Sequence, residues 1–288
     1  MDFGLSSGGY VAAVEGAQRA LFEGESYEVC LTDTATVALD DPDPLSMYLG
    51  QRQAMPAPYG AFIRCGEVAL LSSSPERFLA IAADGVVESK PIKGTRPRDA
   101  NPAEDAELAE ELAASAKDRA ENMMVVDLVR NDLGRVCEVG SVVVPELMAV
   151  ESFSHVHQLV STVRGRLAQG RDAIDCFEVC FPAGSMTGAP KLRTMEIIDA
   201  LEPAARGVYS GAHGYFGLDG GADLGVVIRS LVLSGDSARI GGGGAVTVLS
   251  DPEAEHEEML VKVEPLLRLL GAATGPAQRP SVASSVAS

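Results

Sequence analysis

The sequence predicts an α+β protein, because its strand-like runs come in consecutive groups and its helix-like stretches fall between those groups. Three strand-like runs follow one another between residues 60 and 82, and three more between 214 and 240, with turn residues separating them. The chain has 288 residues, 46% hydrophobic and 22% charged, an ordinary composition for a globular protein able to bury a sizeable core. No internal repeat is found. Residues 1–270 read as one domain, followed by a tail from 271 to 288 rich in Ala, Ser, Gly and Pro that is expected to be disordered.

From the start, Val11, Val14, Ala17, Ala20 and Leu21 lie at helical spacing between Tyr10 and Glu23, and Gly24 closes the helix. Tyr27 to Thr32 alternates like a strand. Asp40 to Pro44 forms a turn, and Pro44 opens a short helix from its first turn. The strand-like runs are Gly60 to Cys65, Val68 to Ser72 and Phe78 to Ala82. Pro91 and Pro97 flank Lys93, so that segment reads as a strand end passing into a rigid, extended loop. Asn101-Pro102-Ala103-Glu104 starts a helix, and Ser115-Ala116-Lys117-Asp118 is a capping box opening another towards Asn131. Val142 to Val144 and His157 to Val163 read as strands, and Ala189 to Leu201 as a helix. Gly214 to Phe216, Leu224 to Leu233 and Ala238 to Ile240 are further strands. Gly241 to Gly244 precede another, and Ser250 caps a last helix reaching about Leu270.

A net charge of −18 argues against nucleic-acid and anionic-membrane partners. A small anionic substrate is compatible with it if the site brings its own cations. The five cysteines are odd in number and form no paired CxxC, which points to a reducing compartment and to neither zinc nor disulfides. With no secretory signal and no apolar run of spanning length, the expected location is the cytoplasm.

Chemistry concentrates in a few places. A lone lysine such as Lys93 usually belongs to a solvated surface, but beside Gly94 it is a candidate nucleophile if desolvation lowers its pKa. Glu121, with Asp118 three residues before it, occupies the apolar face of Met124, Val125 and Leu128. Glu255 continues the line of Met259, Val263, Leu266 and Leu270, with Glu258 three residues on. Two readings stand: solvated acids suited to a helix N-terminus, or two pairs converging on a hard cation such as Mg²⁺. Arg229 ends the apolar run Gly225 to Ile228, and there it meets either an internal carboxylate or a ligand's. The glycine run is either a flexible turn or a set of backbone N–H groups able to close on a carboxylate. Phe181 to Lys191 is a glycine-rich helix entry without P-loop spacing. His155 and His157, lacking a third partner, do not make a metal site.

Ser74-Pro75-Glu76-Arg77-Phe78, the Lys93 segment, Lys117 to Asn122, Val125 to Arg135, Phe181 to Lys191, Gly214-Tyr215, Ile228-Arg229-Ser230, the glycine run and Glu255 to Lys262 resemble the chorismate-utilising enzymes, in family order. That family includes the large subunits of anthranilate and aminodeoxychorismate synthases, with isochorismate and salicylate synthases as relatives. The stretches span about Tyr10 to Leu270. The resemblance implies an α/β sandwich with facing β-sheets and outer helices, here without the N-terminal portion that usually precedes it.

Within the family, Pro91-Ile92-Lys93-Gly94-Thr95 is similar to the aminodeoxychorismate synthases, whereas anthranilate synthases carry alanine in place of the lysine. The implied reaction makes 4-amino-4-deoxychorismate, for p-aminobenzoate, from chorismate and ammonia. Lys93 attacks C2 as the 4-hydroxyl leaves, and ammonia then adds at C4 and expels the lysine. The resemblance makes Glu76 the general acid and base. It has Glu121 and Glu258 ligate Mg²⁺ with Asp118 and Glu255 in support, and it places Gly94, Thr95, Ser185, Tyr209, Arg229, Gly242, Gly243 and Gly244 around chorismate. Ammonia is expected from a glutamine amidotransferase partner or fused domain. One departure is Gln158, where many relatives have histidine before Leu159-Val160-Ser161. The alternatives are an anthranilate synthase and a fragment that binds chorismate or the partner without turnover.

Overall fold

The computed structural model describes residues 1–153 and 156–272; His155 and residues 273–288, most of the tail expected to be disordered, lie outside the described residues. A two-residue strand β1 (Asp2–Phe3) leads to helix α1 (Ser7–Phe22), whose first turn is capped by Ser6 accepting from Gly9 N. Tyr10, Val14, Ala17 and Leu21 carry its buried stripe, as the spacing predicts. Strand β2 (Glu28–Ala38) runs well past Thr32. Asp33 and the threonines break the apolar alternation there, yet the strand is paired along its length. Helix α2 (Pro44–Ala54) starts at Pro44, with Asp43 as its cap.

The β-rich block then delivers β3 (Tyr59–Cys65), β4 (Val68–Ser74), β5 (Arg77–Ile81), β6 (Val86–Lys90) and β7 (Ile92–Pro97). Lys93 therefore sits in a strand and not in the loop that its flanking prolines suggest. The pairing Ile92 to Val160 and Thr95 to Gln158 leaves one extra residue on β7, a bulge made possible by Gly94 at φ 83°. Helices α3 (Pro102–Ala114) and α4 (Ala116–Gly134) begin where expected, capped by Asn101 and Ser115. Strands β8 (Val143–Ser152) and β9 (Val156–Arg166) form a pair. Helix α5 (Ala173–Cys180) has no counterpart in the sequence reading, although Asp172 and Asp175 form a reciprocal capping box at its start.

Strand β10 (Gly188–Ala189) and helix α6 (Lys191–Leu201) follow, then β11 (Ala212–Phe216), β12 (Ala222–Val226), β13 (Ser230–Ser234), β14 (Ser237–Val246) and α7 (Pro252–Leu269). The run Leu224 to Leu233, read as one strand, is two strands in different sheets. The chain crosses between them at Arg229, whose φ is 51°. Continuous burial on both sides hides the break from any periodicity argument. The four glycines do not precede a strand but form the middle of β14, paired with Leu31 to Thr34 of β2. Helix α7 is capped by Asp251, while Ser250 donates instead to Glu255.

Every pairing is antiparallel. One sheet runs β1-β2-β14-β13-β4-β3 with β10 on β2; the other runs β11-β12-β5-β6-β9-β7 with β8 on β9. The sheets touch through Ser72 and His213, 3.1 Å apart, and through Arg77 donating to Tyr59 Oη. One core packs α1, α6 and α7 on the first sheet around Val14, Leu31, Ile240 and Met259; a second packs α4 and α5 on the other around Leu79, Val126 and Cys176. This is the α+β arrangement the sequence predicts.

Candidate active site

Between the sheets lies a cleft of about 530 Å³, walled by β7, the glycines of β14, the start of α4 and the middle of α7. Glu76, Lys93, Gly94, Thr95, Asp118, Glu121, Ser185, Tyr209, Arg229, Gly242, Gly243, Gly244 and Glu258 all line it; Glu255 lies behind the wall. The glycines are explained by contact and not by flexibility. A side chain on Gly241 would overlap the Tyr209 ring, one on Gly242 would overlap Val263, and one on Gly244 would come within 2.8 Å of Glu255. A methyl at Gly94 would likewise sit 2.7 Å from Asp118.

The bulge at Gly94 carries Lys93 towards β2, where its Nζ donates to Glu28 Oε1 at 2.8 Å. Both side chains are buried, 13% and 2% exposed. Desolvation alone disfavours the ammonium, but the charges of Glu28 and Glu121 outweigh it and raise the lysine pKa. This corrects the expectation of a lysine neutralised by burial: Lys93 rests as a cation. Glu76, just before β5, is buried, and burial pushes its carboxyl up to about 7, while Ser185 donates to it at 2.8 Å. A carboxyl titrating near neutrality suits both giving and taking a proton.

The acids on the two helices do not all converge. Lys117 Nζ lies 3.5 Å from Glu255 and 3.9 Å from each of Glu121 and Glu258, so these three carboxylates face one point. Asp118 turns away to Arg96 Nη2 at 3.2 Å. Burial lifts the Glu121 carboxyl to about 7 despite Lys93 and Lys117. Glu258 is also desolvated, yet Lys262 at 2.7 Å, Lys117 and Lys93 hold its pKa below the ordinary value. Among the described residues no three His, Cys, Asp or Glu side chains form a ready-made metal cluster. The donor chemistry nevertheless fits a hard cation: three carboxylates already surround a positive charge, supplied here by Lys117.

Arg229 has no ion-pair partner within 4 Å among the described residues. Its Nη1 donates to Lys262 O at 3.0 Å, and burial lowers its pKa. An internal salt bridge is thus not what holds it, and its fork suits a ligand carboxylate. Burial raises the Tyr209 pKa, so its hydroxyl stays protonated. Arg96, Lys117, Lys262, Cys30 and Gln158 also line the cleft, and Glu28 lies behind it. Lys262 is readable as the i+4 partner of Glu258. Glu28 gives no signal, because a charged residue at the head of a strand is usually exposed.

The sequence model of the family described as chorismate binding enzyme matches residues 2–268. The chain is 56% identical, over 261 residues, to an aminodeoxychorismate synthase of Streptomyces pristinaespiralis, covering 91% of this chain and 36% of that one. It is 44% identical, over 265 residues, to an anthranilate synthase component 1 of Haloarcula marismortui, covering 91% of this chain and 49% of the relative. Its fold is similar to the crystal structure of anthranilate synthase component I from Streptococcus pneumoniae, with a TM-score of 0.83 and 33% identity over 91% of this chain and 58% of that one.

Proposed function

The chain belongs to the chorismate binding enzymes, and on that premise we propose that it aminates chorismate to 4-amino-4-deoxychorismate with Lys93 as the nucleophile. The observation that carries this reading is the position of Lys93 Nζ. It is buried in the cleft wall, with Glu76, the Arg229 fork, Glu121 and Glu258 lining the same space. The greater identity to the aminodeoxychorismate synthase supports it. The chain spans 36% of that relative's length, so activity, partner and location are part of the proposal.

Arg229 binds a substrate carboxylate, and the glycines of β14 let the ring lie against the strand. Glu76, half protonated near pH 7, delivers a proton to the departing 4-hydroxyl, which leaves as water while the Lys93 amine bonds to C2. Ammonia bonds to C4, the C2–N bond breaks and the lysine is released. When bound among Glu121, Glu255 and Glu258, Mg²⁺ supplies Lewis-acid polarisation of a substrate carboxylate. Asp118 holds Arg96 and is not assigned to the metal. A glutamine amidotransferase supplies the ammonia, and the cytoplasm is the expected setting. No helix among the described residues is long and apolar enough to cross a membrane.

Purified chain with chorismate, Mg²⁺ and ammonium at alkaline pH tests the reading. The expected product is 4-amino-4-deoxychorismate. Anthranilate with pyruvate would instead support the anthranilate synthase reading. No turnover from folded protein would support a non-catalytic, chorismate- or partner-binding fragment. Lys93→Ala abolishes or diverts amination; unchanged product formation removes the nucleophile.

A further inference from the structure

We propose that Glu28 is the proton acceptor of Lys93, a catalytic carboxylate that takes the ammonium's proton before attack and returns it when the lysine is released. The proposal rests on the reading of Lys93 as nucleophile. Among the described residues Glu28 is the one carboxylate within 4 Å of Lys93 Nζ, at 2.8 Å. Its other oxygen, Oε2, is buried and has no hydrogen-bond partner among the described residues. A buried carboxylate that served only as a structural anchor would ordinarily have both oxygens satisfied. An unengaged oxygen leaves Glu28 able to take up a proton without breaking another bond. Its backbone is fixed by the pairing of Glu28 with Ala189 on β10.

The surrounding groups are otherwise committed. Glu76 accepts from Ser185 and serves the leaving hydroxyl. Glu121 and Glu258 face Lys117, and Glu258 also holds Lys262. Cys30, next on the same face of β2, is a buried thiol near Arg206, Lys93 and Lys262; burial raises its pKa despite these cations, and it makes no hydrogen bond to Lys93 Nζ among the described residues. None of these replaces Glu28 as a base on Nζ.

The steps balance. The Nζ–H bond breaks and an O–H bond forms on Glu28, leaving a neutral amine beside a neutral carboxylic acid. The amine's lone pair makes the N–C2 bond as the C4–O bond breaks, and Glu76 gives its proton to the departing oxygen. Ammonia's lone pair makes the C4–N bond, the C2–N pair returns to lysine as a free amine, and Glu28 restores its proton. The C4 ammonium gives a proton back to Glu76. The sum is chorismate plus ammonia to amino product plus water.

The test measures formation of the Lys93–substrate adduct in the full chain, with chorismate and Mg²⁺ but no ammonia, by rapid quench and mass spectrometry across pH. While Glu28 is present the pair holds one proton, so the share residing on Glu28 is insensitive to pH. In Glu28→Gln the proton must leave to water. The expected ratio of variant to wild-type rate is therefore well below one at pH 7, and rises about tenfold per pH unit between about pH 6 and 8. Taking the ratio cancels the titration of Glu76. Glu28→Asp, a second variant if Glu28→Gln does not fold, slows the step while keeping its ratio constant with pH. A Glu28→Gln ratio near one, or one that is lowered but constant with pH, overturns the role, as does a Glu28→Asp ratio that rises with pH. Absence of a Lys93 adduct in the wild type, together with full amination by Lys93→Ala, overturns the nucleophile reading itself and Glu28's role with it.

Discussion

At the scale of single residues, the proposed amination should take its pH dependence from Glu76. Its carboxyl is raised from 4.5 to about 7 by burial, and the acid form is the one that protonates a leaving hydroxyl. At fixed free ammonia the rate should therefore fall as pH rises above 7, and Glu76→Gln should lower turnover by about 10²–10⁴-fold at pH 7 and by less at higher pH. Stability follows the same proton. A carboxyl whose folded pKa is raised binds its proton more tightly in the folded state, so its contribution is full below 4.5 and is lost as pH climbs through 7. Glu76→Gln should then unfold later than wild type at pH 9, by about 1–3 kcal/mol in denaturant titrations; equal midpoints there would mean that the group is not desolvated. Glu76 was legible only through its motif, because nothing in periodicity announces a buried acid. The charge on Lys93 was not legible at all. It depends on Glu28, 65 positions away in sequence, and contacts of that separation leave no local pattern.

Elements decide where the acids go. The spacing placed Glu121 on the inner face of α4, and Glu255 and Glu258 on α7, but spacing could not tell that Asp118 would be claimed by Arg96. Nor could it show that Lys117 would stand among the other three. Lys117→Met should tighten Mg²⁺ binding severalfold by calorimetry without chorismate, since a competing cation is removed. Unchanged affinity would place the metal elsewhere. Glu258→Gln should weaken the same titration. The glycine run was recognised as significant but given the wrong element, because glycine within a strand mimics a turn when only composition is seen. Gly241→Ala should cost about 1–3 kcal/mol in denaturant unfolding through overlap with Tyr209; a loss within error would show that the ring can move.

The whole molecule was legible as α+β because strands grouped in sequence remain grouped in space: β3 to β7 fill large parts of both sheets. What the sequence concealed is that the chain changes sheet at Arg229 without a turn signal, which puts that guanidinium at the seam where the cleft lies. Charge also acts at this scale. The protein carries −18 overall, yet its cleft sets Lys93, Arg96, Lys117, Arg229 and Lys262 against only Glu76, Asp118, Glu121 and Glu258. Capture of a dianionic substrate should consequently weaken with added salt at the level of KM more than kcat, because screening acts on the approach of charges. A KM insensitive to ionic strength would contradict a cationic cleft.

Strand β14 leaves no room for elaboration, since methyl groups there would collide with Tyr209, Val263 and the β2 backbone. Anyone wishing to redirect this scaffold to another nucleophile would have to work on the far bank, at β7 and at the head of β2. Half of the pocket is thus a template and the other half a programme.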